Sequence, residues 1–218
     1  MGTLRIVIVD DDAQMRGAMM EFLSQEPGHD VVASVGDGRA GVLAFERERP
    51  DVVLMDLQMP VLSGIEAIAE IRANDPRACV VAMTTFDTRD RVVAALRAGA
   101  AGYLLKDSTA EQICDGIEQA FRGEMPLSAA VRRELVLSVA QEHPAQRPGI
   151  SLTPRQCELV GWLAEGLTNQ QISQRMYLSE GSVKQYLNQI SQRLGASNRT
   201  QVLVKALQLG LVDAGGRR

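Results

Sequence analysis

Residues 52–60 read VVLMDLQMP. Four apolar residues, Val52 to Met55, run without a polar break, then a carboxylate, Asp56, and a proline at Pro60. A short, unalternating, β-branched run is the pattern of a strand buried on both faces of a parallel sheet. Asp56 is then the first group beyond the buried run. In open α/β sheets that position, the carboxyl end of a central strand, is where ligands bind.

Similar runs recur on either side. Leu4–Val9, Val31–Val35, Cys79–Met83 and Gly102–Leu105 are further strand candidates. Helical patterns alternate with them over Ala13–Gln25, Arg39–Glu48, Gly64–Arg72, Arg89–Ala98 and Thr109–Arg122. In the last, Ile113, Ile117, Ala120 and Phe121 recur at helical spacing. Five βα units in succession predict a doubly wound, five-stranded parallel sheet of flavodoxin-like type. After Arg122 the alternation stops. Leu127–Ala140 reads as a helix, and Gln141–Ile150 (QEHPAQRPGI), with two prolines and a glycine, reads as a linker. Beyond it every pattern is helical. The expected domains are 1–125, a linker with a helix over 126–150, and a small all-α four-helix domain over 151–218.

Charge divides the chain at the same place. Residues 150–218 carry eight Lys/Arg against four Asp/Glu, a net +4, so the remainder carries −8 of the overall −4. An acidic front and a mildly basic back suit modules with different partners. No apolar run approaches the roughly 20 residues that span a bilayer. The start, MGTLRIVIVDDD, lacks the pattern of a signal peptide, so a cytoplasmic protein with no membrane partner is expected. Cys79, Cys114 and Cys157 lie far apart with no metal-ligand spacing, and are expected as small core residues.

The predicted strands end in chemistry. Strand one runs into Asp10-Asp11-Asp12, strand three into Asp56, strand four into Thr84-Thr85, strand five into Lys106. Carboxylates brought together favour a hard divalent cation such as Mg²⁺. A lysine and a hydroxyl beside them suit a phosphoryl group, and a carboxylate can attack one to form an acyl phosphate. Each feature alone is ordinary, since acids favour helix N-termini and lysines favour solvent. Four at four strand ends are not.

IVIVDDD, VVLMDLQMP, VVAMTT and AGAAGYLLK resemble the receiver domain of two-component response regulators, over roughly residues 4–122. The resemblance implies that Asp56 is the phosphoacceptor for a sensor histidine kinase. It implies that Asp10, Asp11 and Asp56, with the main-chain carbonyl of Gln58, hold Mg²⁺. Lys106 would bind the phosphoryl oxygens, Thr84 would move toward them, and Tyr103 would follow as the aromatic switch. Asp107 follows Lys106 where many receivers have proline, and LLKD is usual in the NarL/FixJ subfamily. A cis peptide there would cost roughly 3 kcal/mol without proline, and the sequence leaves its geometry open. A haloacid-dehalogenase-type phosphatase also uses a strand-end aspartate with Mg²⁺, but needs a second aspartate two residues on as general acid. That position is Gln58, which carries no carboxylic proton. No enzyme acting on external substrates is expected, only the receiver's own aspartyl phosphotransfer and dephosphorylation.

At the back, Thr153-Pro154-Arg155-Gln156 and Thr168-Asn169-Gln170-Gln171 are helix starts with capping-box signatures. Ser179 caps a third helix, Gly195 ends it, and the turn at Tyr177-Leu178 makes a helix-turn-helix. Val183, Leu187, Ile190 and Leu194 form the expected core stripe, while Lys184, Gln185 and Asn188 lie on another face. LTPRQCELV, GLTNQQIS and LSEGSVKQYL resemble the LuxR-type DNA-binding domain. That implies base or nearby backbone contacts for Lys184, Gln185 and Asn188, and phosphate contacts for Ser182 and Arg193. It also implies a double-stranded DNA operator and a fourth helix over Asn198–Leu209 that family members use to dimerise. Val202, Ala206 and Leu209 serve either there or in the domain's own core. Trp162, in the first helix of this domain, reads as a core or interdomain anchor.

Overall fold

The computed structural model describes residues 2–85, 89–141 and 151–212. Most of the expected linker, residues 142–150, therefore lies outside the described residues.

The chain divides into two units, Met1–Pro126 and Leu127–Arg218. In the first, strands β1 (Leu4–Val9), β2 (His29–Val35), β3 (Val52–Asp56), β4 (Val80–Thr84) and β5 (Gly102–Leu105) alternate with five helices. These are α1 (Ala13–Gln25), α2 (Gly38–Glu48), α3 (Gly64–Asn74), α4 (Arg89–Ala98) and α5 (Ala110–Phe121). All strand pairs are parallel, in the order β2-β1-β3-β4-β5. The doubly wound sheet expected from the apolar runs is therefore present.

Val52, Val53, Leu54 and Met55 are wholly buried, as are Ile6, Val7 and Ile8 beside them. One core packs Ile6, Ile8, Val52, Leu54, Val81 and Met83 of the sheet against Met19 and Leu23 of α1 and Ile113 and Ile117 of α5. Each such side chain contributes roughly 1.5–3 kcal/mol when fully buried, so the central strands hold the site rigidly. The edge strand β2 starts two residues earlier than its apolar run, at His29. Its residues are mostly half-buried, which is why hydrophobicity alone placed its start late.

The second unit contains α6 (Ala129–Gln141), α7 (Pro154–Glu165), α8 (Asn169–Met176), α9 (Glu180–Leu194) and α10 (Arg199–Gln208). Capping boxes at Thr153/Gln156 and Thr168/Gln171 form as their sequences require. Each cap contributes about 1 kcal/mol. The α8–α9 turn passes through Tyr177, whose φ of 55° is left-handed. Val183, Ile190 and Leu194 are buried, whereas Leu187 is only half-buried. Val202 and Ala206 are fully buried within the unit. Trp162 is half-buried, with the Arg175 guanidinium 5.2 Å from its ring centroid.

The helix expected over Leu127–Ala140 forms as α6, but it does not stand apart as a linker. It packs on α10 through a face on which Val131, Leu135 and Val136 are buried. Arg132 fixes it further, donating to the Glu165 carbonyl at the end of α7 (3.1 Å). The four helices expected over 151–218 are α7 to α10, and the second unit adds α6 to them.

Candidate functional site

Sheet register brings the predicted groups together. Val9 pairs with Met55, Asp56 with Met83, and Thr84 with Leu105. The residues at or just beyond those pairs are Asp10, Asp56, Thr84 and Lys106. They meet at the crevice between β1 and β3, where the strand order reverses.

Asp10, Asp56 and Thr84 are all buried. Lys106 Nζ lies 2.6 Å from Asp10 Oδ2 and 3.1 Å from Asp56 Oδ2, with its side chain only 6% exposed. Asp10 Oδ1 accepts the Asp12 N–H (2.9 Å), and Arg16 Nη1 donates to the Asp10 carbonyl (2.6 Å). The third member of the acidic run has a different task. Asp12 is the N-cap of α1, accepting from Gln14 and Met15 N–H. Ligand oxygens of Asp10, Asp11 and Asp56 all lie within 4.8 Å of one another, with Asp11 exposed. An all-oxygen set of this kind fits a hard cation such as Mg²⁺. Gln58 is exposed, and its main-chain N–H exerts a small downward pull on the Asp56 pKa.

Burial pushes the Asp56 carboxyl above the ordinary aspartate range, against the pull of Lys106, and the Asp10 charge adds to the rise. For Lys106 burial acts downward. Its hydrogen bond to Asp10 and the charges of Asp56 and Asp10 outweigh that, and its pKa is raised. The cluster is thus a pair of buried carboxylates held by a lysine whose raised pKa keeps it charged.

The loop after Asp56 is tied back by a close approach. A Cβ on Gly64 would lie 1.8 Å from the Asp56 carbonyl oxygen, so only glycine lets α3 start here. Gly64 N–H donates to the Leu57 carbonyl (3.2 Å). Tyr103 is buried at 1% exposure on β5. No described peptide bond is cis, so Lys106–Asp107 is trans. The Ser108 N–H closes a turn onto the Leu105 carbonyl (3.1 Å) that carries Lys106.

In the second unit Lys184, Gln185 and Asn188 are exposed together along the first turns of α9. The other two expected contacts are engaged within the unit. The Ser182 hydroxyl lies 2.9 Å from that of Ser179. Arg193 donates to the Ser151 carbonyl (3.2 Å) and Gln156 Oε1 (3.3 Å), stitching α9 to the start of α7. Arg199, which the sequence did not single out, is buried and donates to Asn169 Oδ1 and to the Leu167 carbonyl (2.6 Å), locking α10 to the start of α8.

Two protein-family models match the chain: the response regulator receiver domain over residues 6–118, and the bacterial regulatory proteins of the luxR family over residues 150–206. The transcriptional regulatory protein LiaR of Bacillus subtilis is 34% identical over 212 residues, covering 96% of this chain and 100% of LiaR. The nitrate/nitrite response regulator NarL of Escherichia coli is 31% identical over 200 residues, covering 91% of this chain and 93% of NarL. The crystal structure of the response regulator ChrA, from a heme-sensing two-component system, aligns with a TM-score of 0.54 at 32% identity. That alignment covers 97% of this chain and 100% of ChrA.

Proposed function

The chain belongs to the NarL/FixJ family of two-component response regulators, and from that premise we propose that phosphorylation of Asp56 by a histidine kinase switches its DNA binding. The observation that carries this reading is Lys106 bridging the buried carboxylates of Asp10 and Asp56. An Asp56 oxygen attacks the phosphorus of a kinase phosphohistidine. The P–N bond breaks, the imidazole leaves, and an acyl phosphate remains on Asp56. Lys106 is placed to take the new phosphoryl oxygens, exchanging one anionic partner for another. The Thr84 hydroxyl, buried one residue beyond the Asp56–Met83 pair, is the nearby donor that can follow them.

Asp10, Asp11 and Asp56, with the Gln58 carbonyl, would hold Mg²⁺, which offsets the charge gathered on the transferring group. Gln58 carries no carboxylic acid, so the receiver catalyses only its own phosphotransfer and slow dephosphorylation. The phosphorylated chain dimerises and places Lys184, Gln185 and Asn188 of two α9 helices in successive major grooves of an operator.

The test is labelling by acetyl phosphate, with Asp56→Asn as control. Asp56→Asn should take up no phosphate, and full labelling of that variant would remove Asp56 from its assigned role. Beryllofluoride, a phosphoryl mimic, should raise both the mass of the protein in solution and its affinity for duplex DNA.

A further inference from the structure

The receiver's last residues return to the strand that carries Tyr103. α5 ends at Phe121, and two residues on Gly123 takes a left-handed φ of 75°, a conformation that favours glycine. There Gly123 N–H bonds to the Ala120 carbonyl and Glu124 N–H to the Gln119 carbonyl. That reversal turns the chain back along the free edge of β5, an edge strand in the sheet order. The Pro126 carbonyl accepts the Tyr103 N–H (3.0 Å). Pro126 is buried, and its ring covers Gly102, where a Cβ would lie 2.3 Å from Pro126 Cγ. Glycine at 102 is thus a cradle for the proline.

The next residue begins the other unit and is tied just as firmly. The Leu127 carbonyl accepts from Arg132 Nη2 (3.1 Å), and Ser128 caps the start of α6. Arg132 Nη1 reaches the Glu165 carbonyl at the end of α7. One peptide bond, Pro126–Leu127, therefore joins a segment latched to β5 to a segment clamped onto the helical unit.

We propose that Gly102 and Pro126 form an edge latch, through which the state of the Asp56 pocket on β5 is passed to the DNA-binding unit. The latch residues are positioning residues and touch no phosphate or DNA. The inference rests on the phosphorylation reading above. Lys106 lies three residues along from Tyr103, whose N–H holds the latch, so a shift of β5 toward a phosphoryl group moves the Pro126 carbonyl with it. A latch of backbone and ring contacts suits this use. It is stiff enough to transmit a displacement and small enough to be released.

The test uses the full-length chain and a duplex selected from a random-sequence pool by the beryllofluoride-loaded wild type. Beryllofluoride binding is read by calorimetry, and duplex affinity with and without it by fluorescence anisotropy. Gly102→Ala drives a methyl into the proline. Pro126→Gly removes the ring, keeps the carbonyl and leaves β5 untouched, so it remains informative if Gly102→Ala folds poorly. Amide exchange at Tyr103 should speed at least tenfold in Pro126→Gly. That variant should bind beryllofluoride within twofold of the wild type, yet lose most of the fold-change in duplex affinity that beryllofluoride produces. Pro126→Gly with the full wild-type fold-change overturns the latch. A wild type whose duplex affinity ignores beryllofluoride overturns the phosphorylation reading instead.

Discussion

Lys106 Nζ stands 3.1 Å from Asp56 Oδ2 while also pairing with Asp10 at 2.6 Å, so one buried cation is shared by two buried carboxylates. Removing it leaves both acids without a counter-charge. Breaking a buried ion pair from one side costs about 3–5 kcal/mol. Lys106→Met should lose stability on that scale in Mg²⁺-free buffer at neutral pH, measured by urea denaturation. It should also bind beryllofluoride at least tenfold more weakly. A variant as stable as the wild type would mean that the three groups do not share one charge balance.

Asp56 should itself be a cost to the fold when ionised. Its folded pKa is raised above the ordinary 3.8, chiefly by burial. Its ionisation therefore opposes folding at neutral pH, and the penalty is relieved as pH falls through the raised pKa. The neutral isostere Asp56→Asn should then melt higher than the wild type at pH 7 without Mg²⁺. The gap should close as the wild type protonates. A chain of this length shifts by roughly 2–4 °C per kcal/mol, well within calorimetric reach. Lys106 acts at the other end of the scale. Its raised pKa stabilises the fold below its ordinary 10.5, and that support is lost as pH rises through the folded value.

The cation site gives a third outcome. Ligand oxygens of Asp10, Asp11 and Asp56 lie within 4.8 Å, and Asp11 alone of the three is exposed. Mg²⁺ at a hundredfold above its dissociation constant should stabilise the chain by about 2.7 kcal/mol. Asp11→Asn, a surface change, should leave the metal-free melting temperature nearly unchanged and remove the Mg²⁺-induced rise. A rise that survives Asp11→Asn would take Asp11 out of the ligand set.

Much of this was legible in one dimension, for a physical reason. Strands buried on both faces write uninterrupted apolar runs, so Val52–Met55 and its neighbours betrayed the sheet, and the first polar residue after each run betrayed the site. What was not legible depends on three-dimensional return of the chain. Nothing local says that Asp12 caps a helix while Asp10 pairs with a lysine 96 positions away. Nothing marks Arg132 as reaching the end of α7, or Arg199 as locking α10 to α8. The α6 helix was visible as a pattern, but its packing on α10 was not. The acids and Gly102 share that limit, because their partners are backbone atoms or residues remote in sequence.

The two cationic residues of α9 should separate recognition from stability. Lys184 is exposed beside Gln185 and Asn188, with nothing in its own unit assigned to it. Arg193, expected from sequence to meet phosphate, donates instead to Ser151 and Gln156. Lys184→Ala should weaken duplex binding by about 1–3 kcal/mol if it meets a base. If it meets a phosphate, the salt dependence of binding should become shallower by roughly one unit of slope. Its melting temperature should not move, since among the described residues no hydrogen bond or ion pair engages its exposed side chain. Arg193→Ala should do the reverse, lowering the melting temperature of the helical unit through two lost hydrogen bonds of about 1–3 kcal/mol each, with an unchanged salt slope. A reduced salt slope for Arg193→Ala would return that residue to the DNA interface.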